Sequence, residues 1–78
     1  MDPQATWNEM LEAVSLRDWE EAGERAESLL GWMRRGGVPP QTAEIVQLRQ
    51  WNRPMAEFGC LLTLQLVKSA RARQKRKG

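Results

Sequence analysis

The most constraining feature of the sequence is an apolar segment at residues 58–67, which only two polar residues interrupt. If the segment is wound as an α-helix at about 100° per residue, one side receives four large side chains: Met55, Phe58, Leu62 and Leu66. Roughly the opposite side receives three others: Cys60, Leu64 and Val67. A helix that is apolar nearly all round must be covered on more than one face. The segment therefore predicts a helical bundle, in which two amphipathic helices upstream provide the cover.

The chain is short, and its composition limits how it can be stabilised. Its 78 residues are enough for one small domain with a modest core. The single cysteine excludes an internal disulfide, and the chain has no histidine for a Cys/His metal site. Self-association is the remaining common way to stabilise a chain of this size.

Charge is divided unevenly along the chain. Residues 1–31 carry eight acids and two bases, a net charge of −6, and residues 32–78 carry ten bases and two acids, a net charge of +8. Such a division is typical of an interaction end on an ordinary domain. It also allows the acidic part of one chain to attract the basic end of another.

The first residues are neither basic nor apolar, so they do not resemble a secretory signal. The longest apolar run, about ten residues, is shorter than the roughly 20 residues of a membrane-spanning helix. These features predict a cytoplasmic protein.

Two amphipathic helices are predicted in the first half of the chain. Asp2 and Pro3 favour a helix start, Thr6 is a second possible start, and we expect helix 1 over residues 3–15. Its apolar positions recur at helical spacing: Trp7, Met10, Leu11 and Val14. Helix 2 is predicted over about residues 18–35, with capping by Asp18 and a C-terminal stop at the paired glycines 36 and 37. Its inward face is expected to comprise Trp19, Ala22, Ala26, Leu29, Leu30 and Met33.

The turn and start of helix 2 read Leu16-Arg17-Asp18-Trp19-Glu20-Glu21-Ala22, and Ala26 and Leu29-Leu30 follow. This pattern resembles one tetratricopeptide repeat over roughly residues 5–35. The resemblance implies an antiparallel helical hairpin with small alanines at the helix contact. It implies no peptide binding, because such repeats normally stack three or more times.

The second half of the chain predicts a helix interrupted near a proline. Thr42 is a candidate cap for helix 3, which has Ile45, Leu48 and Trp51 at helical spacing. Pro54 favours a break or kink at residues 52–54. Helix 4 is then expected to run from near Pro54 through the apolar segment.

No residue pattern indicates catalysis or a cofactor. Without histidine or tyrosine, the usual general bases are missing. Cys60, between Gly59 and two leucines, is predicted to be a buried small hydrophobe rather than a nucleophile. The acids at positions 20, 24 and 27 are expected to form a solvated helix face. The chain is therefore predicted to be non-enzymatic.

Four tryptophans are many for a chain of this length. Trp7, Trp19 and Trp51 lie on apolar stripes, which favours a place in the core or an interface. Trp32 leaves two alternatives open: an exposed anchor for a partner, or packing under the loop at residues 38–40.

The basic C-terminal segment has three interpretations. It could be a solubilising terminus, an attachment to an anionic membrane surface, or a site for nucleic-acid phosphates. The nucleic-acid alternative would use six side chains: Lys68, Arg71, Arg73, Lys75, Arg76 and Lys77. The segment has no aromatic residue, so base stacking is not indicated.

Together these features predict an all-α fold, a small helical bundle in which an antiparallel helix hairpin packs against a kinked or two-part C-terminal helix. Residues 1–69 are expected to form one domain, and residues 70–78 a basic tail that frays. The predicted function is protein–protein interaction, with a homodimer formed through the apolar C-terminal helix. The predicted partner-binding residues are Trp32, Phe58, Leu61 and Leu64.

Overall fold

A computed structural model describes residues 1–42 and 50–77, with side chains described as far as residue 73. Within these ranges the chain forms three α-helices: α1 (Pro3–Ser15), α2 (Trp19–Arg34) and α3 (Asn52–Lys77). Helix α2 lies between the other two and packs against both. The predicted all-α bundle is confirmed. The helix predicted around Ile45 and Leu48 lies outside the described residues.

Helix α1 begins where the sequence predicts. The Asp2 carboxylate accepts hydrogen bonds from the amides of Gln4 and Ala5, at 3.1 and 3.2 Å, and Pro3 occupies the first helical position. Thr6, the second possible start, lies inside the helix, where its hydroxyl donates to the Asp2 carbonyl at 3.0 Å. The N-terminal aspartate therefore defines the start of the helix.

A turn of three residues joins α1 to α2. Arg17 has a φ of +57°, a left-handed conformation that is uncommon for a residue other than glycine. The turn closes when the Asp18 amide donates to the Ala13 carbonyl at 2.8 Å. The Asp18 side chain then accepts from the Glu21 amide at 3.3 Å and caps α2.

Helix α2 ends at the predicted glycine pair. Gly36 has a φ of +88°, and its amide donates to the Met33 carbonyl at 3.0 Å. The Gly37 amide donates to the Trp32 carbonyl at 2.9 Å. These two bonds form a Schellman motif, which satisfies carbonyl groups that the helix itself leaves unpaired.

The core is centred on the predicted inward face of α2. All of the predicted residues of that face are buried except Trp19, which is partly buried. Helix α1 keeps three of its four predicted apolar positions inward, since Met10 is buried and Trp7 and Val14 pack against the core, but the inward face is rotated relative to the prediction. Thr6, Met10 and Ala13 face the core, whereas Leu11, predicted to lie on the apolar face, is exposed.

Helix α3 runs antiparallel to α2 and parallel to α1. Its first turn lies at the C-terminal end of α2, and Val67, further along, packs in a cluster with Ala13 and Ala22. Gly59 faces the indole of Trp7, near the start of α1. The two upstream helices therefore cover one face of α3 only, and the expectation that they cover more than one face is wrong for a single chain.

The start of α3 is connected to the end of α2 by an arginine. The Arg53 guanidinium donates to the Met33 carbonyl at 2.9 Å and to the Gly37 carbonyl at 2.8 Å. Pro54 lies in the first turn of α3, where its missing N–H is not needed for a helical hydrogen bond. Residues 50 and 51 form a short 3₁₀ segment, and α3 then runs without interruption through residues 52–54, so the predicted break does not fall within these residues.

Candidate interaction surface

The face of α3 that is buried against the rest of the chain consists of small residues, with Leu64 partly buried at its edge. We call it the inner face, and its members are Ala56, Cys60, Thr63, Val67 and Ala70, all buried. The Thr63 hydroxyl donates to the Gly59 carbonyl at 2.8 Å, which satisfies the polar group inside the bundle. Small side chains let α3 approach α2 closely.

The opposite face of α3 carries the large apolar side chains. We call it the outer face, and its members are Trp51, Met55, Phe58, Leu61, Leu62 and Leu66. Each is between 37 and 62% exposed, and Phe58 is the most exposed of them. The predicted side with Met55, Phe58, Leu62 and Leu66 thus lies in solvent.

The size distribution on α3 is the reverse of that expected for a helix whose only role is to complete the core. A core-facing stripe normally carries the large apolar residues, because their burial contributes most to stability. On α3 the inner face carries the small ones. The outer-face stripe covers about four helical turns, which makes it the candidate interaction surface of this chain.

The four predicted partner-binding residues do not lie together. Phe58 and Leu61 are on the outer face, whereas Leu64 is partly buried and packs against the core. The outer-face residues not predicted to bind a partner are Trp51, Met55, Leu62 and Leu66. Helical spacing placed three of these four on the side of Phe58, so the sequence signal for the surface was present.

Trp32 packs against the loop that follows α2. Its indole N–H donates to the Val38 carbonyl at 2.8 Å, and its ring lies so close to Gly37 that a Cβ there would collide with it. The ring also packs against the core. Of the two alternatives for Trp32, this arrangement corresponds to packing under the loop.

The basic residues of α3 lie partly beside acids of the same chain. Lys68 and Arg71 line a groove between α2 and α3, whose other wall carries Glu20, Glu24 and Glu27. In the described part of the chain, the ion pairs within 4.0 Å all involve Arg25, which contacts Glu9 and Glu21. The groove charges therefore face each other without direct pairing.

The remaining basic side chains extend beyond the groove. Arg73 is exposed, and the helical backbone continues to Lys77, so most of the segment predicted to fray is helical. The side chains of Lys75, Arg76 and Lys77 lie outside the described residues. The predicted nucleic-acid residues thus follow the outer face on the same helix.

The surroundings of Cys60 do not favour nucleophilic chemistry. The thiol is fully buried on the inner face, and burial, with a smaller contribution from the negative charge of Glu57, raises its pKa to about 11. The described residues include no group of acids or cysteine placed to hold a metal ion. No helix in the described ranges is both long and apolar enough to cross a membrane.

We expect Cys60 in the folded protein to react with a thiol reagent at pH 8 at least about 100-fold more slowly than in the unfolded chain. A rise in thiol pKa from 9.0 to about 11 lowers the thiolate fraction by about this factor, and burial adds to it. The measurement is the rate of reaction with a chromogenic disulfide in buffer and in guanidinium chloride. Rapid labelling of a chain that remains helical by circular dichroism would contradict this expectation.

Comparison with protein-family models, curated proteins and solved structures found no significant match to this chain. The resemblance of the first hairpin to a tetratricopeptide repeat stays a prediction.

Proposed function

We propose that this chain is a non-enzymatic protein–protein interaction module that self-associates through the outer face of α3. The observation that carries the proposal is the opposition of the two faces: small residues meet the core and large apolar residues meet solvent. Burial of the large residues against a second apolar helix would recover the hydrophobic stabilisation that a single chain leaves unused.

The size of the outer face supports a specific interface. From the exposed fractions of its six side chains, it presents on the order of 600 Å² of surface per chain. Two copies would bury about twice this area, which is near the lower limit of about 1,200 Å² for specific protein interfaces. Trp51 and Phe58 supply the aromatic side chains that are enriched in binding hot spots or interface cores.

Nucleic-acid binding through the basic end of α3 is the second candidate. It is supported by the exposure of Lys68, Arg71 and Arg73. The acids across the groove lower the local positive potential at Lys68 and Arg71, and the exposed aromatics lie on the outer face several turns away. The apolar surface is therefore the better supported site.

The proposal is tested by light scattering of the unmodified chain and of Leu62→Asp. We expect the unmodified chain to form dimers and Leu62→Asp to raise the dissociation constant at least 100-fold. A symmetric dimer contains the substitution twice, and a loss of about 1.4 kcal/mol at each position raises the dissociation constant tenfold, so the two positions together raise it about 100-fold.

Leu16→Asp is the matched control. Leu16 is 71% exposed at the turn between α1 and α2, away from the outer face, so its replacement should leave the dimer unchanged. A monomeric unmodified chain at about 1 mM would overturn the proposal, because even an association free energy near −4 kcal/mol gives substantial dimer there. Equal weakening by both substitutions would also overturn it.

A further inference from the structure

We propose that the second copy pairs with α3 in the antiparallel direction, so that the two basic ends lie at opposite ends of the dimer. This inference rests on the proposed self-association and adds the direction and register of the two helices. Its evidence is the spacing of the outer-face residues and the position of the basic residues beyond them.

The outer face contains a seam with alternating intervals of four and three residues, which begins at Trp51 in the 3₁₀ segment just before α3 and continues with Met55, Phe58 and Leu62. An average interval near 3.5 residues is typical of a helix that pairs with another helix along its length. The next two positions of the same pattern are Gln65 and Ser69, which are polar and exposed. The apolar seam is therefore confined to the first half of α3.

In only a few registers does every seam residue of one chain face a seam residue of the other chain. In the antiparallel direction, one register puts Trp51 opposite Leu62 of the second copy and Met55 opposite Phe58. All four seam residues then face apolar partners. The two-fold axis lies between residues 56 and 57, and Leu61 flanks the seam.

A parallel pair would align the same residues, so the charges decide between the two directions. Parallel helices lie about 8–10 Å apart, which would bring together Lys68, Arg71 and Arg73 from both copies. The acids across the groove offset part of this charge at Lys68 and Arg71, whereas Arg73 lies beyond the groove. The distance between the helices is no greater than the Debye length of about 10 Å at 0.1 M salt, so the repulsion would be poorly screened.

The antiparallel register separates the basic ends. The two Lys68 residues then lie about 23 helical positions apart along the dimer, or about 35 Å. Interactions between exposed charges at this distance are screened at ordinary salt concentrations. The antiparallel pair therefore keeps the complete apolar contact without the repulsion between the basic ends.

The test is a distance measurement between spin labels on Lys68→Cys, made in a Cys60→Ala background so that each chain has one thiol. Lys68 is exposed and lies beside the seam, so labelling leaves the four seam residues intact. We expect a label separation near 35 Å by pulsed electron paramagnetic resonance, whereas a parallel pair predicts less than about 20 Å.

A second measurement uses disulfide formation between Trp51→Cys and Leu62→Cys in the same background. When the two variants are mixed in a glutathione buffer, the amount of the mixed disulfide should exceed the amount of either self-disulfide at least tenfold. Identical positions are about 16 Å apart along the antiparallel pair, beyond the reach of a disulfide. Light scattering of each sample reports dimer formation separately.

The outcomes separate the two proposals. A dimer with a short Lys68 distance, or with preferred self-disulfides, overturns the antiparallel direction and leaves self-association standing. A chain that scatters as a monomer overturns both. A dimer with the long distance and the mixed disulfide supports both.

Discussion

Cys60→Asp is expected to unfold the chain, whereas Leu62→Asp, two residues further along the same helix, should leave the monomer folded. Cys60 is fully buried among apolar side chains, so an aspartate there would lose its hydration without gaining a partner. Buried carboxyl groups show pKa shifts of 3–5 units, which correspond to a penalty of about 4–7 kcal/mol. This penalty is comparable to the whole free energy of unfolding of a small domain. A domain of this length has only about 4–12 kcal/mol.

The measurements are the far-ultraviolet circular dichroism signal of helix and the thermal unfolding of each variant. Both are made at concentrations low enough that the chain is monomeric. Leu62 is 49% exposed, and an aspartate there remains hydrated, so we expect a cost of at most about 1 kcal/mol from lower helix propensity. Folded Cys60→Asp together with unfolded Leu62→Asp would mean that the two faces of α3 are assigned the wrong way round.

Gly59→Ala is expected to destabilise the protein by up to about 2 kcal/mol, although alanine is the better helix former. A Cβ at Gly59 would lie 2.5 Å from Cη2 of Trp7, so either the indole or the helix must move. Overpacking of this kind typically costs about 1–3 kcal/mol. Subtracting the gain of about 1 kcal/mol from helix propensity leaves a net loss of up to about 2 kcal/mol.

Gly23→Ala on α2 is the matched control for this substitution. A Cβ there would lie 3.5 Å from a methyl group of Val67, which is ordinary van der Waals contact, so we expect unchanged or higher stability. Chemical unfolding of both variants, and of Gly59→Ala combined with Trp7→Leu, measures how far the effect of Gly59→Ala on the free energy of unfolding depends on the Trp7 ring. Equal effects of the two alanines would show that Trp7 does not restrict the approach of α3.

Local patterns account for the parts of the fold that the sequence predicts well. The caps at Asp2 and Asp18 and the stop at the paired glycines depend on residues within one turn of each helix end. The inward face of α2 follows from helical spacing because its large residues all point one way. The same spacing also indicated the large apolar side of α3.

Contacts between distant residues could not be predicted in this way. Arg53 donates to carbonyl groups sixteen and twenty residues earlier, which no local pattern indicates. The rotation of α1 toward Thr6 and Ala13 has a related cause. Close approach between helices selects small residues, whereas a hydrophobic pattern gives most weight to large ones. For the same reason, the apolar pattern on both sides of α3 did not indicate which side meets the core.

The small inner face of α3 also has a consequence for the order of folding. Helices α1 and α2 are joined by three residues and form local contacts, whereas α3 contacts residues of α2 that are tens of positions earlier, such as Gly23 beneath Val67. Local contacts generally form faster, so we expect the hairpin to precede the docking of α3. Until that step, α3 exposes both faces to other newly made chains. A face of alanine, cysteine, threonine and valine offers little area for a wrong encounter, and the large apolar residues other than Leu64 lie on the face that remains available in the finished fold.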